Sequence, residues 1–206
     1  MRLATPAEQW HRRTLGLWMF LGTLVMLFAA FTSALVVRAS GEDWQSLQLP
    51  PVLWLNLAVI GASSVALEAA RRVRRAGAKH PKYSKHPPGA THPPREDTSG
   101  RLRLALVALS AMLGVVFLAG QVVAWQQLMR RGVYLPSSPY SSFLYLLTGL
   151  HGVHVIAALG FLLFLAFRTV TGARADEWPY LARSVATFWH FLAVTWLYLF
   201  IVLELA

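Results

Sequence analysis

The histidines inside apolar runs are the side chains of this sequence that could take part in the widest range of chemistry. His151 and His154 lie one helical turn apart in one run, and His190 lies in a later run. Neutral imidazole is a common metal ligand and can hold a haem iron axially. His154 and His190 are expected at equal depth, so a haem site is one interpretation. The bulky aromatic residues around His190 argue against the planar slot that a haem needs, and we favour packing and hydrogen bonding.

Two amides lie in other apolar runs, at Asn56 and Gln121. At a rise of 1.5 Å per residue, both amides are expected at the same depth in the membrane, near one face. The histidines are expected nearer the other face. We expect Asn56, Gln121, His151 and His190 to make polar contacts between helices, which join membrane helices modestly. The sequence contains no cysteine, so thiolate nucleophiles and thiolate metal sites are excluded. We predict no catalytic residue and no metal site in this chain.

The elements that position these residues are five apolar runs, in a chain of which 56% is hydrophobic and 14% is charged. A membrane-spanning helix needs about 20 apolar residues, and the lipid interior cannot satisfy the hydrogen bonds of a bare backbone. The sequence therefore predicts an all-α polytopic membrane protein, in which residues 1–206 form a single membrane domain. Its helices are expected at approximately 15–37, 52–70, 104–128, 142–167 and 184–206.

Basic residues are distributed unevenly between the two sides of this predicted domain. The net charge is +10, and sixteen of the nineteen Lys and Arg residues fall on the inside if the N-terminus is cytoplasmic. The positive-inside rule then predicts an N-in/C-out bundle. Most of the excess lies in the Pro-rich loop 71–103, where His80, His86 and His92 each precede a proline. We favour contact of this loop with anionic lipid headgroups over nucleic acid or a metal site.

Charged side chains are missing from the middle of the predicted spans, and this bears on the class of protein. Glu68 lies at the end of the second run, where Arg71 and Arg72 are expected to pair with it. Ion-coupled transporters place ionisable groups or broken helices at the membrane midplane, so a transporter is disfavoured. Small residues predict close helix packing, namely Gly16, Gly22, Ser33, Ser63, Ser64, Gly149, Gly152 and Gly160.

Four motifs in order along the chain resemble a known family, subunit III of the haem-copper oxidases. The strongest is SFLYLLTGLHGVHVIAALG at 142–160, which resembles the family's LTGxHGxHV signature. The last run contains FWHFLAVTWLYLF and is similar to its WHFxDxxW helix. The second and third runs contain LPPVLWLNLAVIGASSVALEAA and GVVFLAGQVVAW, which resemble its LWxNTxxLxxSS and QxxEW helices. The number of helices matches the short five-helix bacterial form.

The chain departs from this family at three carboxylates. Leu24, Ala124 and Ala193 stand at positions where members usually carry Glu, Glu and Asp. All three replacements are apolar, so any role of those acids in the family is not carried over.

The resemblance implies a non-catalytic subunit III of a respiratory terminal oxidase, which reduces oxygen to water in aerobic electron transport. It implies oxidase subunits I and II as partners, haem and copper in those partners rather than in this chain, and a bacterial plasma-membrane location. It also implies bound phospholipid at His154 and Arg168, and a tie between helices four and five through His151 and His190. The alternatives are an accessory subunit of a nitric oxide reductase and a small haem-binding membrane cytochrome.

Overall fold

Five long helices make up the fold. The computed structural model describes residues 6–41, 44, 47–79, 98–171 and 178–206, and describes helical side chains only over 14–73 and from residue 98 onwards. The helices are α1 (Pro6–Ala39), α2 (Val52–Lys79), α3 (Thr98–Arg130), α4 (Pro139–Thr171) and α5 (Trp178–Leu205). Each contains a segment long and apolar enough to cross a membrane. No strand occurs in the described ranges, and the prediction of an all-α bundle with five candidate spans is confirmed.

The helices extend beyond the apolar runs, most clearly around the basic loop. Residues 71–79 continue α2, and residues 98–103 begin α3, so both ends of the expected loop 71–103 are helical. Hydropathy identifies only the part of a helix that lies in lipid. Arg, Ala and Lys have high helix propensity, so the helix continues beyond that part. The His-Pro repeats at His80, His86 and His92 lie outside the described residues.

Local sequence signals set the turn between α3 and α4. Gly132 has a φ of 78°, its N–H donates to the Met129 carbonyl, and the Val133 N–H donates to the Leu128 carbonyl. This pair of bonds is a Schellman motif, for which glycine is the favoured residue. Ser138 precedes Pro139, which is the first residue of α4. An N–H at that position would have no partner within the helix, so its absence in proline costs nothing.

Four of the helices form a closed ring, in the order α2, α3, α4 and α5, with α5 returning to α2. Helix α1 lies outside this ring, and in the described part of the chain its backbone approaches only α4 and α5. It buries one stripe of residues at spacings of three and four, namely Leu21, Leu24, Phe28, Thr32 and Leu35. Its other faces expose large apolar side chains, as suits a helix at the edge of a membrane bundle.

One end of the bundle, here called the distal end and defined by Trp44, Tyr140 and Ala206, is closed by two hydrogen bonds. The Trp44 Nε1–H donates to the Ala206 carbonyl at 2.7 Å, and the Tyr140 hydroxyl donates to the Leu203 carbonyl at 2.6 Å. The Trp44 and Tyr140 rings also meet edge to face, with centroids 5.5 Å apart. The first bond fixes the connection after α1 to the residue that follows α5, and the second joins the start of α4 to the last turn of α5.

Candidate functional site

The polar interior of the ring is built first from a junction of α2, α3 and α5. The Ser63 hydroxyl donates to the Ser110 carbonyl at 2.8 Å, and it accepts a hydrogen bond from Trp189 Nε1 at 3.1 Å. Trp189 lies against Gly114, where an added Cβ would come within 2.6 Å of Trp189 Cη2. The Ser110 hydroxyl lies 3.0 Å from the Ser63 hydroxyl, so the side chains of Ser63, Ser110 and Trp189 satisfy one another and join three helices.

Asn56 links α2 to α3 further towards the distal end. Its Nδ2 donates to the Phe117 carbonyl at 3.3 Å, and only 2% of its surface is exposed. Its amide oxygen fills the space that a Cβ at Gly120 would occupy. Gln121, the other buried amide, has no hydrogen-bond partner for Oε1 among the described residues. The two amides therefore differ: one ties two helices together, and the other does not.

His151 is fully buried, with 0% of its surface exposed. Aromatic rings from three helices surround it, with centroid distances of 5.2 Å to Trp196, 5.9 Å to Phe117 and 6.3 Å to Phe28. Neither ring nitrogen has a hydrogen-bond partner in the part of the chain that the structure describes. The imidazole therefore packs as an aromatic ring and does not tie α4 to α5 by a hydrogen bond.

The other two histidines face different helices. His154 directs Nδ1 at the Leu150 carbonyl of its own helix, 2.8 Å away, and its ring meets Phe28 of α1 at 6.0 Å. His190 on α5 places Nε2 4.0 Å from Glu68 Oε2 on α2. His151 of α4 therefore meets α5 through the Trp196 ring, whereas His190 lies beside Glu68 of α2, and the two histidines do not contact each other among the described residues. His154 and His190 likewise do not form a facing pair.

The opposite end of the bundle, here called the basic end and defined by Glu68, Arg71, Arg168 and Arg183, carries the charged contacts. Glu68 lies 2.7 Å from Arg71 and 3.6 Å from Arg72, which is the ion pairing expected from the sequence. On α4, the guanidinium of Arg168 lies 5.5 Å from the ring centroid of Phe164 and is partly exposed. Arg71 lies at the end of the candidate span Val52–Val73, and Arg168 lies in the last turn of α4, so both are expected near the membrane–water boundary.

The positions at which the resemblance led us to expect acids face the interior. Leu24 and Ala124 are buried, and Ala193 packs against the hydrophobic core. A carboxylate at any of them would lie among apolar side chains, where an unpaired charge is expensive. Among the residues described, no group of three or more His, Cys, Asp or Glu side chains could hold a metal ion. This interior is suited to holding helices together.

The glycines at which two helices approach closely are not those expected from the sequence. A Cβ at Gly16, Gly22, Gly152 or Gly160 would meet nothing within 4 Å. At Gly149 it would make only an ordinary contact of 3.9 Å with Trp125. The close contacts lie instead on α3, at Gly114 and Gly120. Gly114 belongs to a stripe on α3 at spacings of three and four that could have pointed to it, and Gly120 lies outside this stripe. The buried residues of the stripe are Val107, Ser110, Ala111, Gly114, Phe117, Gln121, Ala124 and Leu128.

A substitution at His151 tests whether its nitrogens contribute to stability. We expect His151→Leu to leave the free energy of unfolding within about 1 kcal/mol of the wild type, because a buried polar group without a partner stabilises nothing. Thermal unfolding of the full chain in mild detergent measures the change. Asn56→Leu is the comparison, and it should be clearly less stable. A large loss for His151→Leu would mean that its nitrogens bind a partner.

Comparison with known proteins places these features in one family. The family model for cytochrome c oxidase subunit III matches residues 97–205, just over half of the chain, from α3 to α5. "Cytochrome c oxidase subunit 3" of Corynebacterium diphtheriae is 39% identical over 98 residues, and "Probable cytochrome c oxidase subunit 3" of Mycobacterium tuberculosis is 36% identical over 92 residues.

These two matches span less than half of the relatives' length, at 46% and 45%, and the same shares of this chain. "Probable quinol oxidase subunit 3" of Staphylococcus saprophyticus is 25% identical over 193 residues, which are 90% of this chain and 85% of that protein. The match of the family model carries the assignment, since it covers three of the five helices and the histidine and tryptophan motifs on them. The chain therefore belongs to the cytochrome c oxidase subunit III family.

Proposed function

We propose that this chain is the non-catalytic subunit III of a respiratory haem-copper terminal oxidase, a complex that reduces oxygen to water in aerobic electron transport. The observation that carries the proposal is the family match over residues 97–205. The five candidate spans agree with a subunit that works wholly within the membrane.

The interior of the bundle supports a scaffolding role. Its polar side chains bond helices to one another, as Ser63 and Asn56 do, and the positions of the family's acids are apolar. In this proposal subunits I and II hold the haem and copper and carry out the electron transfer. This chain then stabilises the catalytic subunit through its surface.

Co-purification tests this function. An affinity tag on the chain should recover, from bacterial membranes in mild detergent, two further subunits with haem and copper and with oxygen-consuming activity. Reduced cytochrome c and a quinol, added separately, identify the electron donor, since relatives named for both kinds of oxidase match this chain. Nitric oxide reduction without oxygen reduction would instead support an accessory subunit of a nitric oxide reductase. A Soret band in the isolated chain would contradict the proposal and support a haem-binding cytochrome.

We infer that the basic end faces the cytoplasm of a bacterial cell, which makes the chain N-in and C-out in the plasma membrane. The support is the distribution of Lys and Arg, sixteen of which fall on that side. Alkaline phosphatase fused after Ala206 should be active, because this enzyme matures only outside the cytoplasm. The same enzyme fused within 80–97 should be inactive. The reverse pattern would contradict this orientation.

Phospholipid is proposed to bind at His154 and Arg168 towards the basic end. A guanidinium can hold a phosphate through two parallel hydrogen bonds, and Arg168 is partly exposed where a headgroup would lie. We expect Arg168→Ala to lose about one retained phospholipid per chain in native mass spectrometry of the purified complex. Arg130→Ala, an exposed arginine at the end of α3, is the matched control. Unchanged lipid retention in Arg168→Ala would remove this site.

A further inference from the structure

The outer seam between α2 and α5 carries two ionisable side chains that are partly exposed within candidate spans. His190 follows the exposed Arg183 by seven residues, so it lies about 10 Å deeper in the membrane than that arginine. The side chain of His190 is 35% exposed and that of Glu68 is 27% exposed, with Nε2 and Oε2 4.0 Å apart. Contact with lipid is costly for such groups, which in membrane proteins mostly face other protein or a water-filled cavity.

The two side chains differ in how their hydrogen-bonding groups are used. Glu68 accepts a hydrogen bond from Arg71 at 2.7 Å. The distance of 4.0 Å from His190 to Glu68 is too long for a hydrogen bond, and His190 makes none within the described ranges. His154, another partly exposed histidine, instead has Nδ1 2.8 Å from the Leu150 carbonyl. His190 is therefore a partly exposed imidazole at membrane depth that is open to a hydrogen bond from outside the chain.

The α2 side of this seam is a line of residues seven apart, which are Trp54, Gly61 and Glu68. Trp54 meets Phe200 of α5 with ring centroids 4.6 Å apart, and Glu68 meets His190 towards the basic end. Between these two contacts Gly61 is exposed, and a Cβ built on it would meet nothing within 4 Å. The seam is therefore closed at both ends and open in the middle.

The open stretch suits a second helix. Fourteen residues separate Trp54 from Glu68, a length of about 21 Å, and a helix is about 10 Å wide. Ala58 and Ala62 beside Gly61 are also exposed, and small residues on a helix surface let another helix approach closely. We propose that a transmembrane helix of a neighbouring subunit packs over Gly61 and offers a hydroxyl or amide group to His190. A neutral group is specified because a further charge at this depth is costly.

Two other occupants fit this seam less well. A two-fold axis along the membrane normal would place each residue of a second copy at the same depth, so Glu68 would approach its own copy. A lipid chain cannot satisfy the imidazole, because hydrocarbon makes no hydrogen bonds. The inference rests on the proposed function only in that the neighbour belongs to the same complex, whereas the contact face is argued from this chain's residues.

Affinity purification of the tagged full chain from membranes in mild detergent tests the face. We expect Gly61→Leu to recover about tenfold less of the other subunits per chain, because leucine overpacks the contact. Thermal unfolding of the variant chain should be unchanged, since a Cβ at Gly61 has no neighbour within the chain. Gly22→Leu is the matched control, at an exposed glycine of α1 with equally open surroundings, and it should recover all subunits.

A pair of substitutions at His190 tests the hydrogen bond. His190→Leu should recover about threefold less of the other subunits, which is the effect of one hydrogen bond between membrane helices. His190→Gln keeps a hydrogen-bonding group and should recover nearly as much as the wild type. Both variants lose the contact with Glu68, so equal recovery from the two would mean that the imidazole acts only within this chain, and would contradict the proposal.

A photo-crosslinking residue at position 61 identifies the occupant in the assembled complex. An adduct with another subunit is expected, whereas an adduct with a second copy of this chain, or with lipid alone, would overturn the proposal. Full recovery of subunits by Gly61→Leu, or equal losses in Gly61→Leu and Gly22→Leu, would overturn it as well. Recovered subunits that lack haem and copper would contradict the proposed function, and the adduct at position 61 would still decide whether this face is the contact.

Discussion

Trp189→Ala is expected to destabilise the bundle by about 4 kcal/mol, which is the largest single effect that the structure predicts. Trp189 is 1% exposed and is among the largest fully buried side chains of the described residues. Its removal opens a cavity beside Gly114 and leaves the Ser63 hydroxyl without its donor on α5. Thermal unfolding of the full chain in detergent measures the loss.

A control for this substitution is Trp54→Ala. Trp54 is 57% exposed, so its truncation removes fewer contacts and should cost less than half as much. The hydrogen bond itself is measured by a double-mutant cycle of Trp189→Phe and Ser63→Ala, with an expected coupling of about 0.6 kcal/mol. Equal losses for Trp189→Ala and Trp54→Ala would contradict the central position of Trp189.

Gly120→Ala is expected to cost about 2–3 kcal/mol, although it adds only one methyl group. The new Cβ would overlap the Asn56 amide, which is held in place by its bond to the Phe117 carbonyl. The amide must leave or the two helices must separate, and such overpacking is costly in a close-packed interior. The denaturation midpoint of the full chain reports the change.

Gly160→Ala is the matched control, because a Cβ at Gly160 meets nothing within 4 Å. It should be neutral or stabilising by up to about 1 kcal/mol, since alanine favours helix. Asn56→Ala combined with Gly120→Ala should recover part of the loss, because the two groups compete for one space. If Gly120→Ala and Gly160→Ala behave alike, the close contact is absent.

Hydropathy predicted the five helices because the length and continuity of apolar runs are properties of the chain alone. It did not predict their ends, as residues 71–79 and 98–103 show, because charged residues continue a helix outside lipid. The ion pair of Glu68 with Arg71 was predictable for a similar reason: residues three apart on one helix are neighbours whatever surrounds them.

Contacts between helices were harder to predict. Equal depth on two helices does not determine which faces meet, so His190 was expected near α4 and lies beside Glu68 of α2. Rotation about the helix axis also decides which glycine is approached closely. Gly120 meets Asn56, whereas Gly152 in the histidine motif meets nothing within 4 Å. These choices depend on the packing of whole helices and not on residue spacing along one of them.

The position of α1 outside the ring has a consequence for biosynthesis. Among the described helices it approaches α4 and α5, which are encoded last, and about 100 residues lie between the end of α1 and the start of α4. At roughly 5–20 residues per second, a ribosome needs about 5–20 seconds to produce that interval. During this time α1 lies in the bilayer without its final neighbours. We therefore expect it to be the helix that depends most on insertase assistance and is most accessible to membrane quality control.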